Sequence, residues 1–264
     1  MRITAIFLIL IFVPTFMFAQ NMKISYLCEG RIKPNVLKKE IALLYINEKK
    51  ESLFFTEAFF KRDSILKYAQ NNKGTDIYQS VEKLKLISVN SFLEEFIRKD
   101  YSNNSISTYI VKTPNEFNYI QTIDFNWQIG NEQEKILSYD CKIATCTYSG
   151  RNYKAWFTEK IATSDGPFKF RGLPGLILKI EDDQNLFKFE MVGINIQQKS
   201  ITLEPINFKR AKTVSFKDFL KIRADHDENP LKGFTDAGFT ISYIDPEMLK
   251  KKNNTVKKNY IEIN

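Results

Sequence analysis

The pattern of apolar and polar positions changes character along the chain. Residues 22–30 and 40–60 read as strands, the latter stretch folded into a hairpin at Asn47-Glu48-Lys49-Lys50. Around residue 91 the period becomes helical. Ser91 followed by Glu94 resembles a capping box, and Phe92, Leu93, Phe96 and Ile97 then fall on one helical stripe. Just before it, Leu84-Lys85-Leu86 continues a strand or belongs to a second helix. From Ser105 onward the pattern is plainly β, with strands predicted over 107–112, 118–125, 135–148, 152–158, 176–180 and 186–192. Phe187, Phe189 and Met191 alternate with Lys188 and Glu190, the mark of a sheet with one wet face. Turns are expected at Ser149-Gly150-Arg151 and at Glu181-Asp182-Asp183-Gln184. Residues 215–223, carrying Phe216, Phe219, Leu220 and Ile222, suit a short helix.

Consecutive strands joined by tight turns pair antiparallel, because a parallel neighbour needs a long crossover. The prediction is therefore a mainly β (α+β) fold: an antiparallel, strongly curved sheet or partly closed half-barrel with one or two covering helices. A sheet this long must coil or close to manage its edges. With 22 Phe, 12 Tyr and 2 Trp, the chain can fill such a barrel or line a pocket inside it. No repeat and no long linker divides the sequence, so a single domain is expected over residues 20–245. Lys250-Lys251-Lys252 and Lys257-Lys258 then stand among asparagines, which predicts a basic, flexible tail over 246–264.

The first residues hold one basic side chain, Arg2, and an apolar run from Ile3 to Ala19. They fit a secretory signal peptide over residues 1–19, cleaved after Ala19. Pro14 and the marginal length of the run argue against a membrane span, which needs about 20 apolar residues. Leu27 before Cys28 is a poor match to a lipoprotein cleavage site. An exported protein follows, periplasmic, outer-membrane-associated or secreted, and not an integral membrane protein. The formal net charge is +8. An exported chain does not meet nucleic acid, so anionic lipid, polysaccharide or an acidic protein face are the partners open to it.

The run from Gly166 to Ile180 is the most informative in the chain. Gly166-Pro167 and Pro174-Gly175 set two turns around apolar residues, directing a bent backbone into a core. Pro174 fixes φ for a β-turn, and Gly175 is expected to supply the positive φ of a type II turn. Gly172 would let another backbone or a ligand approach closely. Leu176, Leu178 and Ile180 are expected on one face of the following strand, with Ile177 on the other. Two readings are open: a rigid apolar corner needed for folding, or the lip of a binding cleft formed by Gly172, Leu173, Pro174 and Gly175. The centre of this run spells Gly-Leu-Pro-Gly-Leu-Ile, and the segment resembles the signature of the GLPGLI family of bacterial envelope proteins. The likeness extends to Trp127-Gln128-Ile129, Ile136, Tyr139, Cys141 and Ala144, and to Gly150-Arg151, Tyr153 and Ala155-Trp156-Phe157-Thr158. It implies an envelope location and carries no activity. The meander of strands is also similar to the half-barrels of periplasmic lipoprotein carriers, an analogy of fold that does not fix function.

Candidate chemistry is sparse. Cys141 and Cys146 lie roughly 16 Å apart if they share one extended strand, whereas a disulfide needs Cα atoms within about 7 Å. A bridge from Cys28 to Cys141 is one possibility; others are three buried thiols, or a reactive or metal-binding thiol. His226 sits in a polar, acid-flanked run before Pro230 that suits an exposed helix end or loop. One histidine excludes the common multi-histidine zinc sites, and no nucleophile elbow, P-loop or dinucleotide fingerprint is present. No catalytic residue, metal ligand or cofactor is assigned. Asp182 and Asp183 are expected to bond their own backbone in the turn. Arg151 can clamp an anion or cap its turn, and Trp156 can stack on a ligand or pack in the sheet. The leading expectation is a non-enzymatic envelope module that binds an apolar or anionic ligand, such as a lipid, or an outer-membrane protein. That reading requires a cavity between sheet and helices. The alternatives are a periplasmic hydrolase or thiol-dependent enzyme using Cys146 or His226, and an assembly component working through an exposed sheet edge.

Overall fold

Twelve strands form one sheet in the order β12-β6-β5-β4-β3-β2-β1-β11-β10-β9-β8-β7. The computed structural model describes residues 21–49, 51–62, 64, 92–112, 115–197, 211–229 and 258–262. The strands are β1 (Asn21–Lys33), β2 (Val36–Ile46), β3 (Glu51–Thr56), β4 (Glu95–Asp100), β5 (Ser105–Lys112), β6 (Asn115–Gln121), β7 (Gln128–Ile136), β8 (Tyr139–Tyr148), β9 (Arg151–Thr158), β10 (Leu176–Asp182), β11 (Phe187–Gln197) and β12 (Lys212–Thr213). All pairings are antiparallel except that of β12 with β6. Residues 57–62 are helical, and helix α1 spans Phe216–Glu228. Among the described residues, no helix is long and apolar enough to cross a membrane.

Connectivity forces the sheet to curl. β6 and β7 lie ten strand positions apart, a separation of nearly 50 Å in a flat sheet at about 4.8 Å per strand. The chain passes from Gln121 to Gln128 directly, and seven extended steps reach at most about 25 Å. The sheet therefore bends round until its two ends face one another, while remaining open. Its inner face carries the main core, including Ile24, Tyr26, Leu44, Phe54, Ile97, Phe157 and Phe189. A smaller outer cluster of Leu43, Leu53, Phe55, Phe59, Phe96 and Tyr109 is covered by the helical turn at 57–62. Thr56 caps that turn, its hydroxyl accepting from the Phe59 amide at 3.2 Å.

The turns follow their local chemistry. Asn47 accepts from the amides of Lys49 and Glu51, both at 3.0 Å, and closes the first hairpin. Ser149 and Gly150 have φ of 49° and 76°, the paired positive values of the tightest hairpin connection. Asp182 accepts from the amides of Gln184, Leu186 and Phe187 at 2.9, 3.2 and 2.5 Å, as expected of an aspartate in that turn. Ser215 caps α1 through the Asp218 amide at 3.1 Å.

Several expectations are corrected. The helix predicted after Ser91 is strand β4 from Glu95. Phe96 and Ile97 are buried on opposite faces, in different clusters, which strand alternation allows and a shared helical stripe does not. Glu40 accepts from the amides of Phe92 and Leu93, both at 2.9 Å, and holds the approach to β4 extended. Residues 57–60, expected to extend a strand, are helical. The stretch 135–148 is two strands rather than one, reversing at Leu137, whose φ is 53°. All three cysteines are free and buried, and Cys28 on β1 is separated from Cys141 on β8 by β11, β10 and β9, so of the alternatives left open the structure has three buried thiols and not a Cys28–Cys141 bridge. Part of the expected flexible tail is core: Ile261 and Glu262 are 4% and 3% exposed. The signal segment, Ser91, and Leu84-Lys85-Leu86 lie outside the described residues.

Candidate functional site

The link between β9 and β10 runs through the interior of the curled sheet. Every residue from Asp165 to Arg171 is buried. Asp165 meets Lys99 of β4 at 2.5 Å with neither side chain exposed, and Lys99 also donates to the Gly166 carbonyl at 2.6 Å. Burial pulls the Lys99 pKa down, and Asp165 pulls against that shift. Tyr26 of β1 donates to the Ile177 carbonyl at 2.8 Å, and the Trp127 indole donates to the Arg171 carbonyl at 2.8 Å. The Arg171 guanidinium binds Asn104 beyond β4 and lies 5.1 Å from the Tyr101 ring centroid. Phe168 has φ of 53°, rare for a bulky side chain, and is held there by burial against Phe170 and Phe189.

Lys169 stands at the centre. Its ammonium donates to Glu262 at 2.6 Å, to Gln121 at 2.8 Å and to the Tyr119 hydroxyl at 2.9 Å. Tyr119 of β6 and Tyr148 of β8 both donate to the Glu262 carboxylate. One carboxylate thus joins strands from opposite ends of the sheet. Arg151 secures the same C-terminal segment by donating to the carbonyls of Tyr260 and Ile261 at 2.5 and 3.2 Å. Arg223 of α1 donates to the Glu262 carbonyl at 2.9 Å and stacks 4.1 Å from the Tyr260 ring centroid.

Beside this cluster, under α1 and residues 258–262, is a cavity of about 240 Å³. Phe92, Phe168, Phe187 and Phe219 supply aromatic wall. Glu94, Glu95, Lys112 and Arg223 supply ionisable groups. Burial pushes Glu94 up, but Lys112 and Arg62 outweigh it and leave the carboxyl at about 2. Burial pushes Glu95 up to about 7, with Lys169 opposing the rise and Glu262 adding to it. Glu95 Oε2 is buried without a hydrogen-bond partner among the described residues.

None of the six residues singled out in the sequence as ligand contacts lines this cavity. Arg151 reaches its rim through Tyr260 and Ile261. Trp156 is on β9, its indole donating to Glu134 at 2.6 Å and its face covered by Lys179 at 3.9 Å. Leu173 is core, and Pro174 is exposed. The two glycines exchange their expected roles. Gly172 has the positive φ, +99°, whereas Gly175 packs against backbone, and a Cβ there would sit 2.2 Å from the Thr158 carbonyl oxygen. Burial disfavours the thiolate at all three cysteines, pushing Cys146 up to about 12 and raising Cys28 and Cys141. His226 is half-buried on α1, its pKa lowered by burial and by Lys112. The groups that sequence reasoning missed are Glu95, Lys169, Arg223 and Glu262. Lys169 alone left a signal, a cation inside an apolar run.

A family described as a protein of unknown function (Porph_ging) matches residues 149–179, from the β8–β9 turn through the signature corner. No curated protein matches the chain in sequence. Two crystal forms of PNGF-II share the fold, with TM-scores of 0.54 and 0.55 at 17% and 15% identity. The match covers 79% of this chain and 34% of that one, so this chain spans about a third of the length of PNGF-II. MucB in complex with MucA(peri) aligns at a TM-score of 0.32 and 7% identity, over 71% of this chain and 53% of that one. A LolA superfamily protein from Nitrosomonas europaea aligns at 0.29 and 6%, over 69% and 88%. The class defined by fold is a strongly curved, open antiparallel sheet filled by its own β9–β10 link.

Proposed function

We propose that this chain is an exported, non-enzymatic binding module of the bacterial envelope that takes a small ligand in the cavity under α1. The carrying observation is that cavity, beside a buried Glu95 oxygen that has no hydrogen-bond partner among the described residues. A buried polar atom without a partner costs about 1–3 kcal/mol, and a ligand group would relieve that cost. Size narrows the ligand. Drug-sized sites run to about 300–1,000 Å³, and the volume an acyl chain would need is taken by Phe168, Phe170 and Leu173. A small polar molecule with an apolar body fits better than a lipid. Native mass measurement on protein purified from its own host tests this. Retention of a small molecule, lost in an Ile110→Phe variant that narrows the cavity, is the expected result; a bound lipid, or an adduct indifferent to Ile110→Phe, counts against it.

One observation favours a second reading. Among the described residues β7 is an edge strand pairing only with β8, and Gln128 to Lys135 are exposed throughout. Such an edge can accept a partner strand. Crosslinking from a residue placed on β7 in the native host, followed by identification of the partner, tests that alternative.

A further inference from the structure

Resting on the reading of the cavity as a binding site, we infer that its ligand is a small organic oxyanion, a carboxylate or phosphate ester, seated against the Glu95 carboxyl. Along β4, Glu95, Ile97 and Lys99 alternate onto the inner face; Ile97 joins the main core and Lys99 meets Asp165. Glu95 thereby looks into the cavity at the end of β4, with its Oε2 unpartnered.

The surroundings select the sign of the ligand. Lys112 from β5, Lys169 from the β9–β10 link, Arg223 from α1 and Glu262 from the C-terminal segment all act on Glu95. Tyr119 of β6 and Tyr148 of β8 also feel its charge. Lys38 of β2 and Lys258 line the same space, with Asp227 answering Lys258 at 3.6 Å. Glu94 answers Lys112 at 3.4 Å and Glu262 answers Lys169 at 2.6 Å, while the Arg223 guanidinium meets the Glu262 carbonyl and the Tyr260 ring. An entering ammonium meets the like charge of Arg223, while an entering anion meets opposite charge there and, when Glu95 is neutral, a carboxyl proton to accept. A buried carboxylic acid can donate in this way. With burial holding Glu95 at about 7, the neutral form is available near neutral pH and is lost above it. The Phe92, Phe187 and Phe219 rings would take the ligand's apolar body.

Titration calorimetry with the protein at pH 6 and pH 8 tests this, using benzoate as the anion and benzylamine as its cationic counterpart. Benzoate is expected to bind about tenfold more weakly at pH 8, in proportion to the fraction of neutral Glu95. A Glu95→Gln variant keeps a donor that does not titrate, so its affinity should be equal at both pH values. That control separates Glu95 from His226, which titrates on neighbouring α1. Phenyl phosphate, compared with benzoate at pH 6, separates the two acids; tighter binding of either supports the inference. Preference for benzylamine, benzoate affinity rising with pH, or a pH dependence surviving in Glu95→Gln overturns the inference and leaves the cavity as a binding site. Absence of binding by all three compounds at both pH values overturns the inference and the cavity reading together.

Discussion

Lys169 has no exposed side-chain surface, and its ammonium is answered by Glu262, Gln121 and Tyr119. Removing one partner from a buried pair strands the other charge, at about 3–5 kcal/mol. Lys169→Met should therefore destabilise the protein by about that amount in urea unfolding, and Glu262→Gln added to it should recover part of the loss. Additive losses would show that the two groups do not act as a pair. Glu95 gives the opposite pH signature to a salt-bridged carboxylate. Its folded pKa, about 7, lies above the unfolded value of roughly 4.3, so between them the folded state keeps a proton that the unfolded chain has released. Its contribution to stability is full below pH 4 and is lost as pH rises through 7, on the order of 3 kcal/mol. Glu95→Gln should flatten that decline and leave the variant more stable than wild type at pH 8, read from urea midpoints across pH 4–8. Of these groups only Lys169 left a trace in the sequence, and its partners did not. A lysine in Phe-Lys-Phe and a glutamate beside a phenylalanine acquire their meaning from charges on five other elements.

At the scale of elements, the signature corner was legible as a corner, and its mechanism was not. Composition marked a bent, apolar passage between two strands, and the passage is there. Which glycine needs positive φ and which needs a missing Cβ depends on Thr158 lying against Gly175. Gly175→Ala should cost about 1–3 kcal/mol by forcing backbone apart, while Pro174→Ala, at an exposed site, should cost less than about 1 kcal/mol; thermal melts compare the two. Equal losses would mean that the turn, not the close approach, is what the segment needs. β4 was misread for a related reason. A strand buried on both faces loses the alternation that identifies it, and Phe92, Leu93, Phe96 and Ile97 then mimic a helical stripe. β10 is buried on both faces as well, and its flanking turns, not its periodicity, marked it as a strand.

Across the whole molecule, closure rests on a few residues that belong to no strand. Tyr119 and Tyr148 stand nine strand positions apart in the sheet and share Glu262. Phe125 and Trp127, in the link that crosses the opening, pack with Phe170. Deleting residues 258–264 removes Glu262 together with Ile261, and takes from Lys169 its carboxylate and from Arg151 the Tyr260 and Ile261 carbonyls. We expect that deletion to lower the unfolding midpoint more than Glu262→Gln does, and to expose apolar surface to a fluorescent hydrophobic dye. An unchanged midpoint with no dye binding would show that the link over residues 159–175 holds the curl by itself.

The sequence by itself determined the β class, the antiparallel pairing of neighbours, the principal hairpins, the helix after Ser215 and the corner around Gly172 and Gly175. Those features rest on short-range terms, namely turn chemistry, capping and the period of two. Tertiary structure alone decided the assignment of β4, the return of the C-terminal segment into the core, the free state of the cysteines and the site around Glu95. Each of these is set by which distant groups share a desolvated space, and that is fixed only when a short link between β6 and β7 pulls the ends of a long sheet together.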